Sequence, residues 1–296
     1  ELGDSETAPL PETQLLFSAN GFDVTVANAF LRGEGAPEVK EGLLSADIEA
    51  RIGEGGRAID VNGAAELRNL HVAMQGRDYR IDRAREEIAV TLQDLRQLSV
   101  SQATTTLTTG GTESLVLQVQ GDLDVRGPEG RVHARLAGLN EAILQALPPE
   151  MLQGLEVNAL QITGDNTLTF ETGPNRIVAN GELDVANLEA VVPDRGPVAP
   201  VNGRISWDVG RESGKPVAIR QAGLQIGSGK TMLAELSARG ELAVPLSAGT
   251  SKLTIRSPGM DLAGLEGLVV EPAEKKEAPA EEENEGAGTA ESEHGD

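Results

Sequence analysis

The stretch Leu115-Val116-Leu117-Gln118-Val119-Gln120-Gly121-Asp122-Leu123-Asp124-Val125 decides the fold class. From Leu117 on, apolar and polar residues alternate strictly, the period-two signature of a strand with one dry and one wet face. A glycine sits inside the alternation on the apolar side. The same formula returns as Gly181-Glu182-Leu183-Asp184-Val185 and as Gly240-Glu241-Leu242-Ala243-Val244, with a looser copy at Val61-Asn62-Gly63. Gly63, Gly121, Gly181 and Gly240 are 58, 60 and 59 residues apart. A mid-strand glycine sacrifices packing, so it marks a bend, a bulge or a close approach of another backbone. Four at one spacing predict one such bend per structural unit of about 59 residues. Each unit holds several antiparallel strands, and the units contact their neighbours only.

Working outward, shorter alternating runs fill the chain: Phe22-Val24-Val26, Leu155-Val157-Ala159, Ile205-Trp207-Val209, Val217-Ile219 and Leu253-Ile255. Turn signals punctuate them at Asn20-Gly21, Gly110-Gly111, Gly164-Asp165-Asn166, Gly173-Pro174-Asn175 and Ser247-Ala248-Gly249. Asn140 is placed to cap a helix over Glu141 to Leu147, ended by Pro148-Pro149, and Asp261 to cap Leu262 to Leu268. Asn187 to Pro193 reads as a shorter copy. The expected architecture is mainly β: an elongated, curved antiparallel sheet, an open groove or roll, with a few short helices. Residues 1–14 form an acidic arm, 15–270 the repetitive β domain and 271–296 an acidic tail. The tail has ten acids against Lys275 and Lys276 and no aliphatic or aromatic core residue, so it is expected to be disordered. The chain starts at Glu1 without a signal or anchor segment and is read as a processed chain or a piece of a longer protein.

Composition narrows the function. With 25 basic and 47 acidic residues the net charge is -22, the wrong sign for nucleic-acid binding. Cysteine is absent, which removes disulfides, thiolate metal sites and cysteine nucleophiles. The three histidines, His71, His133 and His294, lack partners at ligand spacing, and His71 and His133 fall on polar strand faces. Gly227-Ser228-Gly229-Lys230-Thr231 ends like a phosphate loop, but Leu224 stands where the motif needs glycine and no helix follows. The pairs Asp122/Asp124 and Glu182/Asp184 lie on the solvated face. No catalytic residue, metal or cofactor is expected, and the chain is read as a non-enzyme. Aromatics make up only 2% of the residues, too little to fill a thick core.

The Gly-acid-Leu-Asp-Val strands, together with Ile255-Arg256-Ser257-Pro258-Gly259-Met260-Asp261-Leu262-Ala263-Gly264-Leu265, resemble the AsmA-like superfamily of bacterial envelope proteins, which includes TamB- and YhdP-type members. The resemblance spans about residues 15–270. It implies a long curved β-sheet with an apolar groove that carries phospholipid across the periplasm, held to the inner membrane by an N-terminal helix that this chain lacks. It also implies a part in outer-membrane biogenesis, with phospholipid acyl chains and envelope proteins as partners. The groove-lining candidates are Leu123, Val125, Leu183, Val185, Leu242 and Val244. A structural or surface β-repeat protein with a dry interior is the alternative, its two sheet halves packed on each other. A glycan-cleaving enzyme is a third reading, and it requires two acids facing a cleft.

Overall fold

The computed structural model describes residues 11–268, apart from short stretches at 32, 34–35, 75–76, 128, 146–151, 153, 172–174, 194–195 and 245–249. Alternation dominates the chain, and the chain forms one antiparallel sheet of thirteen strands that does not close. The strands are β1 (Thr13–Asp23), β2 (Glu38–Gly53), β3 (Ala58–Met74), β4 (Arg77–Gln93), β5 (Gln97–Thr109), β6 (Thr112–Asp124), β7 (Glu129–Asn140), β8 (Glu156–Glu171), β9 (Arg176–Val192), β10 (Gly196–Glu212), β11 (Val217–Ser228), β12 (Thr231–Leu242) and β13 (Lys252–Met260). They lie in sequence order, each paired with the next. At about 4.8 Å per strand, the sheet is roughly 58 Å wide.

Among the described elements, three short helical segments interrupt this meander: a 3-10 segment over Val24–Ala29, α1 (Glu141–Gln145) and α2 (Leu262–Glu266). They follow β1, β7 and β13, so all three stand at the same end of the sheet. Each is introduced by a glycine, a large apolar residue and a capping acid or amide: Gly21-Phe22-Asp23, Gly138-Leu139-Asn140 and Gly259-Met260-Asp261. The Asp23 carboxylate accepts from the Thr25 N–H at 2.9 Å, the Asn140 amide oxygen from Ala142 N–H at 3.1 Å and the Asp261 carboxylate from Gly264 N–H at 2.9 Å. These are N-caps, each satisfying an otherwise orphaned donor.

The glycine spacing of about 59 residues corresponds to three strands, so successive copies run in opposite directions. Two such units make six strands and restore direction. Most irregularities of the ladder obey this longer step; the shifts of β10 against β9 around Val201 have no counterpart between β3 and β4. Register shifts occur in β1 between Ala19 and Phe22, in β7 between Leu136 and Leu139 and in β13 between Arg256 and Gly259. β5 and β11 bulge between Val100 and Ala103 and between Ile219 and Ala222. Asn69 in β3 and Asn187 in β9 both take a left-handed backbone with φ of 52°, 118 residues apart. Bulges re-aim a strand while keeping its pairing, so their recurrence at every sixth strand makes the six-strand block the structural repeat.

Three sequence expectations are corrected here. Asn187 to Val192 is strand, because the alternation of β9 runs through Asn187 by way of its bulge. Gly164-Asp165-Asn166 is the middle of β8, and Asn20-Gly21 is a bulge inside β1; in both, strand pairing on two sides overrides turn-prone residues. Ser247-Ala248-Gly249 and the tail 271–296 lie outside the described residues.

A candidate apolar trough

Side chains of directly paired residues share a face, so the register traces rows across the sheet. One row reads Leu15, Ala50, Val61, Val90, Val100, Gly121, Val132, Leu168, Ala179, Val209, Ile219, Gly240 and Leu253, without a single polar side chain. The next row reads Phe17, Ile48, Gly63, Ile88, Ala103, Val119, Ala134, Asn166, Gly181, Trp207, Ala222, Ala238 and Ile255. The four repeat glycines thus fall in two adjacent rows on one apolar face: Gly63 with Gly181, and Gly121 with Gly240.

Each glycine admits a neighbouring backbone. A Cβ built on Gly63 lies 2.5 Å from the Asp47 carbonyl oxygen, and one on Gly181 lies 2.8 Å from that of Asp165. On Gly121 and Gly240 it runs into the carbonyls of Arg131 and Lys252. Gly240 also has φ of +149°, which side-chain-bearing residues rarely adopt. The expected bends are therefore places where the adjacent strand crowds the glycine Cα.

Among the described residues, the apolar face is roofed at one end only. Val39, Val157, Leu160, Ala190, Leu233 and Ala234 are buried there, close to the helical segments. The Asn28 side chain both donates to Val39 O at 2.7 Å and accepts from Val39 N at 2.8 Å. Leu160 N–H donates to the Glu141 carboxylate at 3.2 Å, and Asp261 N–H donates to Leu233 O at 2.7 Å. Away from this end the face loses its cover. Ile177 and Ile205, on interior strands, are 43% and 44% exposed. Among the described residues, the largest group of large exposed hydrophobics on strands belongs to this face, and no second sheet lies over it.

Of the candidate lining residues, Leu123, Leu183, Val185 and Leu242 stand on the trough floor, half-buried. Val125 and Val244 do not. Each lies just past the end of its strand and is exposed, at 49% and 47%. The formula Gly-acid-Leu-x-Val misleads there because β6 ends at Asp124, one residue after its leucine, and β12 ends at Leu242 itself, whereas β9 runs on through Val185. The glycan-cleaving reading needs free carboxylates, and three of the four acids in the named pairs are tied to partners on the opposite face. Asp122 accepts from Ser99 at 2.6 Å, Asp124 from Arg96 at 2.5 Å and Asp184 from Arg204 at 2.5 Å. Arg96, Asp122 and Asp124 line a polar cleft of about 610 Å³ at the uncapped end. Burial pushes the Asp124 carboxyl up, but the Arg126 and Gly127 N–H groups and Arg96 outweigh it and hold it below its usual range. His133 bonds Asp165 at 2.7 Å and His71 bonds Asp78 at 2.9 Å. No group of acids and histidines is arranged to hold a metal among the described residues. Gly227 to Thr231 is the β11–β12 hairpin, with Gly229 at φ of +57°.

Sequence reasoning missed three polar residues on the trough floor. The Asn166 side chain lies against Gly181, and its amide oxygen is buried without a hydrogen-bond partner. Glu86 faces the trough beside Ala65, and Thr105 donates its hydroxyl proton to the Glu86 carboxylate. In the run Arg83-Ala84-Arg85-Glu86-Glu87-Ile88 two acids stand side by side, and the alternation through Ala84, Ile88, Val90 and Leu92 is the signal that assigns Glu86 to the inward face.

No helix among the described residues is long and apolar enough to cross a membrane. Compared with protein-family models, with curated proteins and with solved structures, the chain has no match.

Proposed function

We propose that the protein is a non-enzymatic lipid-handling trough of the bacterial cell envelope, working in the periplasm in phospholipid transport or outer-membrane biogenesis. One observation carries this reading. A face of mainly apolar rows across thirteen strands is left by the described residues without a covering layer over most of its length. Exposed apolar area of this extent is unfavourable in water and marks a surface that is filled by something. An acyl chain fits that surface in shape and chemistry: it is apolar, it needs no specific hydrogen bonds, and each buried methylene contributes about 0.8 kcal/mol. The resemblance of the glycine-bearing strands to AsmA-like proteins points the same way. The dry-core alternative needs a second layer on the same face, and the meander supplies none among the described residues.

The test is lipid extraction and mass spectrometry on folded protein purified without detergent, followed by photocrosslinkers at Leu123, Leu183 and Leu242. Stoichiometric phospholipid and acyl-chain adducts are expected. Lipid-free protein with no adducts when phospholipid is supplied overturns the proposal.

A further inference from the structure

The six-strand repeat gives each floor position a counterpart one block away, and this comparison isolates the polar residues. Glu86 in β4 corresponds to Ile205 in β10, because both occupy the same row and the same strand of their blocks. Thr105 in β5 corresponds in the same way to Leu224 in β11. The trough is therefore built equally well with aliphatic residues at both places, so the polar pair is not required by the fold.

Glu86 sits in an apolar setting. Its cross-strand partners are Ala65 and Thr105, and its neighbours on the same face are Ala84 and Ile88. The Thr105 hydroxyl is its hydrogen-bond partner, and no Lys, Arg or His pairs with it among the described residues. The adjacent Glu87 shows the contrast: on the outer face it is paired with Arg85 and receives a hydrogen bond from Gln102 at 2.8 Å. A carboxylate facing a trough that fills with acyl chain loses its water, and an unpaired charge there is costly. A cationic donor removes that cost. Thr105 occupies one lone pair of the carboxylate, which leaves acceptor sites for an ammonium group with its three donors.

Resting on the lipid-trough reading, we propose that Glu86, oriented by Thr105, is a head-group site for the ammonium of a zwitterionic or cationic amphiphile. The net charge of -22 acts in the same direction at long range, disfavouring anionic amphiphiles. The trough then selects by head group at β4–β5 while its apolar rows hold the tails without discrimination.

The experiment is calorimetric titration with dodecylphosphoethanolamine and with dodecylphosphoglycerol, each below its critical micelle concentration. It is run on the wild type, on Glu86→Gln and on Glu86→Ile, the last copying the residue the second block uses. Circular dichroism checks the fold of each. The wild type is expected to favour the ethanolamine amphiphile by about tenfold, in the range of a charge-assisted hydrogen bond. Both variants are expected to bind the two amphiphiles equally, with affinity for the glycerol head group kept. Equal binding by the wild type, or a preference that survives in both variants, overturns the head-group site and leaves the trough standing. Binding of neither amphiphile by the wild type removes the trough as well.

Discussion

Replacing Gly121 by alanine adds one methyl at a point where the β7 backbone leaves no room. The new Cβ meets the Arg131 carbonyl oxygen and lies 2.8 Å from Val132 Cα, both of them main-chain atoms that cannot rotate away. Gly121 is not among the positive-φ glycines, so the cost is steric and not a matter of backbone conformation. Overpacking of this kind typically costs about 1–3 kcal/mol. Gly53 is the control: a Cβ there meets nothing within 4 Å and its φ is ordinary, so Gly53→Ala should stabilise by about 0.4–1 kcal/mol through the unfolded chain. In urea, with a slope of about 3 kcal/mol/M, Gly121→Ala moves the midpoint down by roughly 0.3–1 M while Gly53→Ala moves it slightly up. Each strand pairs only with its sequence neighbours, so hydrogen exchange should accelerate in β6 and β7 and stay unchanged in β2 and β3. If Gly121→Ala proves as benign as Gly53→Ala, or if its effect spreads evenly over the sheet, the close-approach account of the repeat glycines is wrong.

Leu183→Asp and Leu123→Asp put a carboxylate on the trough floor at half-buried sites, so they should abolish phospholipid retention measured by mass spectrometry while the strand signal in circular dichroism persists. Asp261→Ala removes the cap of α2 and should lower stability by about 1 kcal/mol in urea denaturation, with Asn140→Ala acting similarly at α1. Acid should destabilise the outer face. Burial pushes Glu66 up, but its hydrogen bonds from Arg83 and Arg68 prevail and hold it below the usual carboxylate range, and Arg220 lowers Asp208 likewise. Depressed folded-state values mean stability that is fully present above the unfolded carboxylate range and lost as pH falls through the folded ones. Melting temperatures should therefore fall in acid below about pH 4.5, and Glu66→Gln should flatten that fall.

The strands and their apolar faces are legible in the sequence because alternation is a local property, and so is the 59-residue spacing of Gly63, Gly121, Gly181 and Gly240. What is not legible depends on register. Gly164-Asp165-Asn166 has turn chemistry, and only pairing with β7 and β9 makes it strand. The six-strand block is hidden because its markers are bulges, such as Ser101, whose hydroxyl donates to Ala89 O at 3.0 Å in place of a ladder bond. Val125 and Val244 were drawn into the groove by the pattern of a strand that ends just before them. Glu86 was legible in principle, since it alternates in step with Ala84, Ile88 and Val90, but the apolar setting that Ala65 gives it across the strand is a matter of register.

The recurrence of bulges and caps at every sixth strand makes the sheet a ruler with interchangeable segments. β13 offers Leu253, Ile255 and Arg256 to β12 at the positions where β7 offers Val132, Ala134 and Arg135 to β6. Excising or duplicating one six-strand block thus joins edges that already match in direction, face and register. Trough length changes in quanta of roughly 29 Å, six strand spacings, with the capped end kept on one side. Any intermediate number of strands breaks the alternation of bulges, and an odd number also reverses which end the helices cover. Span, for this architecture, is a quantity that gene duplication can adjust without redesigning a single contact.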